Sequence, residues 1–127
     1  MPFFRIDFPL QCNRDITLNI AIQDGNQENI GPPFTLGKFA FALATPDPAQ
    51  QGVMTPIVIR DSNGANVRFY NPPATPASPQ WFMHCDILAA DTLVLPSGTY
   101  YYESRLDVDP GKYLLKSGYF TLAPSLL

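Results

Sequence analysis

The side chains able to do chemistry are few and scattered: one histidine, His84, two cysteines, Cys12 and Cys85, and eleven carboxylates in 127 residues. A hydrolytic triad would set His84 beside a nucleophile and an orienting acid. No Gly-x-Ser-x-Gly elbow accompanies it, and a place on the outer side of a strand accounts for His84 without catalysis. Asp107-Val108-Asp109-Pro110-Gly111 has the opening spacing of a calcium loop, but no bidentate acid follows to close it, and Pro110-Gly111 reads as a turn. A metal shell finds neither a Cys-x-x-Cys pair nor a second histidine. The carboxylate pair of a glycosidase needs one acid in an apolar setting; the acids here read as a solvated face. The expectation is no catalytic residue, no metal, no cofactor, and a protein that is not an enzyme.

Charge and leader narrow the partners. The net charge is -3, and the eight basic residues are spread from Arg5 to Lys116 without clustering, whereas a nucleic-acid groove needs a concentrated positive footprint. The start Met1-Pro2-Phe3-Phe4-Arg5-Ile6-Asp7 has no basic leader and no unbroken apolar run. No apolar stretch is long enough to span a bilayer. These features predict a soluble chain synthesised in a cytoplasm, with no nucleic-acid and no membrane partner. In such a compartment Cys12 and Cys85 are read as two reduced thiols, Cys85 being a small core residue; a bridge between the first loop and a central strand is the alternative.

The elements that must position these residues are strands. Fourteen prolines, eight glycines and only 15% charged residues beside 46% hydrophobic ones suit a turn-rich all-β chain rather than a helical or disordered one. Phe4, Ile6, Phe8 and Leu10 alternate with polar residues and Pro9, which places that strand at a sheet edge. Ile16, Leu18, Ile20 and Ile22 form the cleanest alternation and end at the turn Asp24-Gly25-Asn26. Phe34 and Leu36 are expected to tuck inward from an irregular crossover around Pro32-Pro33, before a strand over 38–45. Trp81, Met83, Cys85 and Ile87 alternate with Phe82, His84, Asp86 and Leu88, making another core strand with Trp81 as its anchor.

Two strands over 56–60 and 67–70 flank Asn63-Gly64 and are read as a hairpin, with Gly64 in the left-handed region. On that reading Gly64→Val should cost on the order of 1 kcal/mol or more. A short helical turn fits only 89–95. The final third writes a strand with Tyr100, Tyr102, Leu106 and Val108 inward, a turn at Asp109-Pro110-Gly111-Lys112, and a returning strand that brings Leu114, Leu115, Phe120 and Leu122 to the same core. The pattern predicts one domain over 1–127, an all-β antiparallel sandwich of seven to eight strands with little helix.

Candidate contact residues lie on loops and outer faces. The proline-rich stretches 45–52, with Pro46 and Pro48, and 71–79, with Pro72, Pro73 and Pro76, are preorganised for binding or close the ends of the sandwich. Tyr101 faces away from Tyr100 and Tyr102, and Tyr70 lies near a loop end. Phe3, Phe34, Tyr70 and Trp81 could join an interface, where aromatic rings are enriched.

In order, the strand after Arg14-Asp15-Ile16-Thr17-Leu18, the turn at Asp24-Gly25, the step Ala90-Asp91-Thr92, the run Leu95-Pro96-Ser97-Gly98-Thr99-Tyr100-Tyr101-Tyr102, the turn at Pro110-Gly111 and Gly118 before a terminal strand resemble a known set of proteins. These are short phage and prophage proteins of immunoglobulin-like fold, similar to the N-terminal domain of phage baseplate upper proteins. The chain departs from them in its two proline-rich loops and in carrying Asn13-Arg14-Asp15 where a glycine turn is expected. The resemblance implies an immunoglobulin-like sandwich serving as a virion part, in a tail or baseplate or decorating a capsid. Its partners would be other virion proteins at several copies per particle, with self-association compatible, and its place the virion. A carbohydrate-binding or adhesion domain, with Tyr101, Tyr70 or Trp81 stacked on sugars from one exposed face, is the competing expectation.

Overall fold

The computed structural model describes residues 5–44, 55–76, 78–108 and 111–125. Eight strands and one short helix follow in the order β1 (Ile6–Gln11), β2 (Ile16–Ala21), β3 (Leu36–Leu43), β4 (Val58–Asp61), β5 (Val67–Tyr70), β6 (Phe82–Ile87), α1 (Ala89–Thr92), β7 (Gly98–Val108) and β8 (Gly111–Ala123). They form a five-stranded sheet in the order β1-β8-β7-β3-β4 and a three-stranded sheet in the order β2-β6-β5. All pairings are antiparallel except that of β1 with β8, which is parallel. The fold is therefore all-β and sandwich-like. β1 lies at a sheet edge, as Pro9 requires.

Alternation builds the core. Ile20 and Ile22 from the β2 segment, Val67 from β5 and Met83, Cys85 and Ile87 from β6 face Leu10, Phe39, Phe41, Tyr100, Tyr102, Leu106, Phe120 and Leu122 of the larger sheet in one buried cluster. Two of the tyrosines carry their hydroxyls inside and satisfy them there. The Tyr100 hydroxyl donates to the Pro96 carbonyl at 2.6 Å. That of Tyr102 donates to Asp7 at 2.7 Å, and burial with the adjacent Asp7 carboxylate pushes its ionisation well above the usual phenol range. Asp7 reaches over the backbone of Gly118: a side chain there would meet its carboxylate oxygen at 1.8 Å. That close approach explains the glycine.

Four sequence expectations are corrected. The 56–60 and 67–70 segments do not pair with each other: β4 pairs with β3 and β5 with β6, so the Asn63-Gly64 turn carries the chain from one sheet to the other. The Ser62 hydroxyl, accepting from the Gly37 amide at 3.0 Å, and the Ser62 amide, donating to the Gly37 carbonyl at 2.9 Å, tie the turn to β3. Gly64 is not in the left-handed region. Leu114 points to solvent, because a register shift at Ser104/Arg105 sets Lys116 opposite Ser104 but Leu114 opposite Arg105, leaving Leu115 half-buried. Trp81 is not the core anchor; it is half-buried at one end, edge-on to Phe34 at 5.6 Å, while Phe39, Phe41, Tyr100, Tyr102 and Phe120 hold the centre.

Other expectations hold in detail. α1 occupies the predicted helical turn, and Val108 pairs with Gly111 across the predicted last turn, whose residues 109–110 lie outside the described ones. The turn after β2 is fastened by Asp24, whose Oδ1 accepts from the amides of Asn26 at 2.8 Å and Glu28 at 3.0 Å. Where a glycine turn is expected before β2, Asn13 itself adopts φ 62°, a conformation asparagine tolerates better than most residues.

Gly37 in β3 and Gly64 in the turn bonded to it make a contrasting pair. A Cβ on buried Gly37 would sit 2.6 Å from the Met83 sulfur and 3.1 Å from the Phe69 ring, whereas on Gly64 it would meet only the Asp61 carbonyl at 3.7 Å. Gly37→Ala is expected to destabilise by about 1–3 kcal/mol through overpacking, and Gly64→Ala to stay within about 0.5 kcal/mol. Urea unfolding of the two variants checks this; equal effects would contradict it.

Candidate functional site

The described contact candidates do not form one patch. Pro46 and Pro48 lie outside the described residues. The chain reaches them from Ala44, whose amide donates to the Thr99 carbonyl beside the start of β7. The other proline-rich segment leaves from the opposite end, since Tyr70 pairs with Phe82, and Phe34, just before β3, touches both Phe69 and Trp81. Tyr101 sits half-buried on the outer face of the larger sheet beside Tyr119, ring centres 5.4 Å apart. Tyr70 sits on the outer face of the smaller sheet, stacked on His84 at 4.9 Å. Tyr70, Tyr101 and Trp81 thus occupy two opposed faces and one end, so they do not share the single platform a stacked sugar would need.

The end that carries Tyr70 is the better-built candidate. Asn71 opens the segment, and its side-chain amide donates to two carbonyls on the far side, Ser78 at 2.9 Å and Gln80 at 3.0 Å. The Gln80 amide donates in turn to the Ser78 hydroxyl at 3.1 Å. One side chain therefore closes the base of the loop. Above that clasp Pro73, Ala74, Thr75 and Pro76 are exposed and uncharged, Pro72 is half-buried, and both Pro32-Pro33 and Thr75-Pro76 have cis peptide bonds. Beneath it Phe34, Phe69 and Trp81 make a ring cluster that roots the loop in the sandwich. Proline fixes φ and the Asn71 clasp fixes the ends, so little conformational freedom is left to lose on binding.

Titratable groups are engaged structurally. His84 meets Asn19 Oδ1 at 3.1 Å through Nε2. Asp86 receives Arg68 at 2.6 and 3.1 Å and the Thr17 hydroxyl at 2.7 Å. The Arg68 hydrogen bond holds its carboxyl below the usual range against opposing desolvation. Asp91 takes Arg60 in a two-pronged contact at 2.5 and 2.6 Å and the Leu88 amide at 2.7 Å. Burial pushes the Asp91 carboxyl up, but Arg60 and the Leu88 amide outweigh it and hold it below its ordinary value. Among the described residues no group of three His, Cys, Asp or Glu side chains could hold a metal ion, and no helix is long and apolar enough to cross a membrane. Asp107 lies 3.9 Å from Lys38.

Both cysteines are free. Cys12 donates its S–H to the Thr92 carbonyl at 2.9 Å from a half-buried position, and Cys85 lies in the core, where burial pushes its thiol up to about 12. The thiolate is the reactive form. Alkylation of the native protein should therefore modify Cys12 alone, and both thiols should react after denaturation without reductant. Native labelling of Cys85, or an unlabelled oxidised species, would contradict this.

No family model, no curated protein and no solved structure matches this chain. The residues that define the loop site are partly ones the sequence does not single out. Asn71 before Pro72-Pro73 carries a turn signal, but its reach to Ser78 and Gln80 depends on the loop closing on itself. The Arg60–Asp91 pair joins residues separated by 31 positions and has no local signature.

Proposed function

We propose that this protein is a non-enzymatic assembly component with an immunoglobulin-like fold, which binds protein partners through the loop held by Asn71. The fold assignment is supported by the strand order. β2, β6 and β5 take the places of strands B, E and D, and β8, β7, β3 and β4 those of G, F, C and C′, with β1 laid beside G. It is supported further by Tyr100, at the start of β7, whose hydroxyl returns to the Pro96 carbonyl four residues upstream in the manner of a tyrosine corner. Tyr102 stands two residues on, where disulfide-bearing members of that fold have a cysteine.

The observation that carries the functional reading is the closed, proline-rich, uncharged loop. A contact of this kind is weak alone and becomes strong when repeated by symmetry, as in a phage tail, baseplate or capsid. The resemblance in the final third of the chain points to such a particle as the setting. Shortening 71–79 to a minimal turn should leave the fold intact and reduce incorporation into particles. Asn71→Ala should keep the strand circular-dichroism signature while weakening incorporation roughly tenfold, on the scale of the ordering cost of a few loop side chains. Normal incorporation of a folded, shortened variant would reject the loop as the contact. Absence of the wild-type protein from purified particles would reject the assembly role.

A further inference from the structure

The Asn63-Gly64 turn has the chemistry for a covalent change that needs only water. Asn63 is exposed, and its carboxamide has no hydrogen-bond partner among the described residues, although its own amide donates to Asp61 Oδ1 at 3.0 Å. The following residue is the glycine of the only Asn-Gly pair in the chain. A Cβ at Gly64 would find nothing nearer than the Asp61 carbonyl at 3.7 Å, so the turn has room to reshape around its nitrogen. We infer that Asn63 is a spontaneous deamidation site of the folded protein.

The step balances with water as the only co-reactant. The Gly64 backbone nitrogen, having given its proton to hydroxide, attacks Asn63 Cγ. A bond forms between that nitrogen and Cγ, and the bond from Cγ to Nδ2 breaks as Nδ2 takes a proton from water and so restores the hydroxide, so that ammonia leaves and a five-membered succinimide remains. Water then opens the ring on either side. Attack at Cγ gives aspartate, and attack at the backbone carbonyl carbon gives isoaspartate, whose main chain runs through Cγ. The net change is the exchange of ammonia for water, with one added negative charge.

One bond opposes the reaction. The Gly64 amide donates to the Asp61 carbonyl at 3.1 Å, so the turn must open before its nitrogen can attack. Asn63 and Gly64 are both exposed, and a single turn hydrogen bond in water contributes little. The chain supplies its own comparison at Asp24-Gly25, which has the same following glycine but a half-buried first residue. There the carboxylate is engaged by the Asn26 and Glu28 amides. The consequence of the change at residue 63 is local but placed at a junction. Isoaspartate adds one backbone carbon to the crossover that joins β4 in one sheet to β5 in the other, next to the Ala65 carbonyl that accepts Arg68 at 2.8 Å.

The test is incubation of the native protein at mildly alkaline pH, followed by intact mass, anion exchange and peptide mapping. The expected result is a more acidic species heavier by about one mass unit, mapped to residue 63 as a mixture of aspartate and isoaspartate, with the Asp24 peptide unchanged. Gly64→Ala, which the structure accommodates, should slow its formation roughly tenfold or more by restricting the approach of the nitrogen. Asn63→Gln should abolish the species. Conversion of a denatured sample but not of the native protein would overturn the proposal, as would earlier conversion at another asparagine or an unchanged rate in Gly64→Ala.

Discussion

Replacing Phe120 with alanine should destabilise the fold by about 3–5 kcal/mol, the range for deleting a fully buried phenylalanine. Phe120 is wholly buried in the larger sheet, and its ring meets those of Phe8, Phe41, Tyr100 and Tyr102 at centre distances of 5.2, 5.5, 5.5 and 6.4 Å. These partners come from three different strands and are themselves braced by backbone pairing. The site therefore cannot collapse around a smaller side chain, and the cavity term stays near its maximum. Urea unfolding followed by tryptophan fluorescence should show a lower midpoint with an unchanged slope. A loss below about 1 kcal/mol would mean that the ring cluster is looser than its geometry indicates.

The second large effect is expected at the clasp between β4 and α1. Arg60 turns inward from the edge strand, donates to both oxygens of Asp91 and reaches the Asp86 carbonyl at 3.1 Å, with side chains only 21% and 10% exposed. Arg60→Ala leaves a mostly buried carboxylate facing a lost partner, at about 2–4 kcal/mol. The pH dependence follows from the direction of the shift. The Asp91 carboxyl is held below its ordinary 3.8 when folded. Its stabilisation is therefore complete above that value and disappears as pH falls through the lower folded value. Thermal midpoints should be level from about pH 7 to about pH 5 and decline below about pH 4, and Asp91→Asn should reduce the steepness of the decline. Asp86, lowered by Arg68, contributes in the same direction. A midpoint that declines already near neutral pH would place the sensitivity in other groups.

What the sequence discloses of this fold is what is local. The alternation along β2, β6 and β7 is legible because each strand buries one face, so side-chain identity reports orientation directly. Partner choice is not local. Asn63-Gly64 looks like a hairpin turn between β-branched runs, and only the folded ladder from Lys38–Asp61 to Phe41–Val58, extended by the Ser62 bonds to Gly37, reveals that β4 belongs with β3. The shift at Ser104/Arg105 is equally hidden, because Leu114 and Leu115 are both apolar and the pattern reads the same with either one inside. Gly118 stands in the sequence as a bare glycine, and its reason, the Asp7 carboxylate above it, comes from a residue 111 positions away. The candidate site was legible as composition, prolines beside aromatics. Its closure by Asn71 is a property of the folded loop.

The parallel pairing of β1 with β8 has a mechanical meaning. From Ile6 opposite Tyr119 to Gln11 opposite Ala123 the two strands advance side by side, so β1 is entered at one end of the ladder and β8 is left at the other. Tension applied through those two points slides the strands along each other and loads every rung at once. An antiparallel pair gripped at its open end gives way one rung at a time. Because β8 is also bound along its other side to β7 over eleven register pairs, from Gly98–Leu122 to Val108–Gly111, a pull on β1 is borne first by the shear of a short ladder and then by the longest ladder in the sheet.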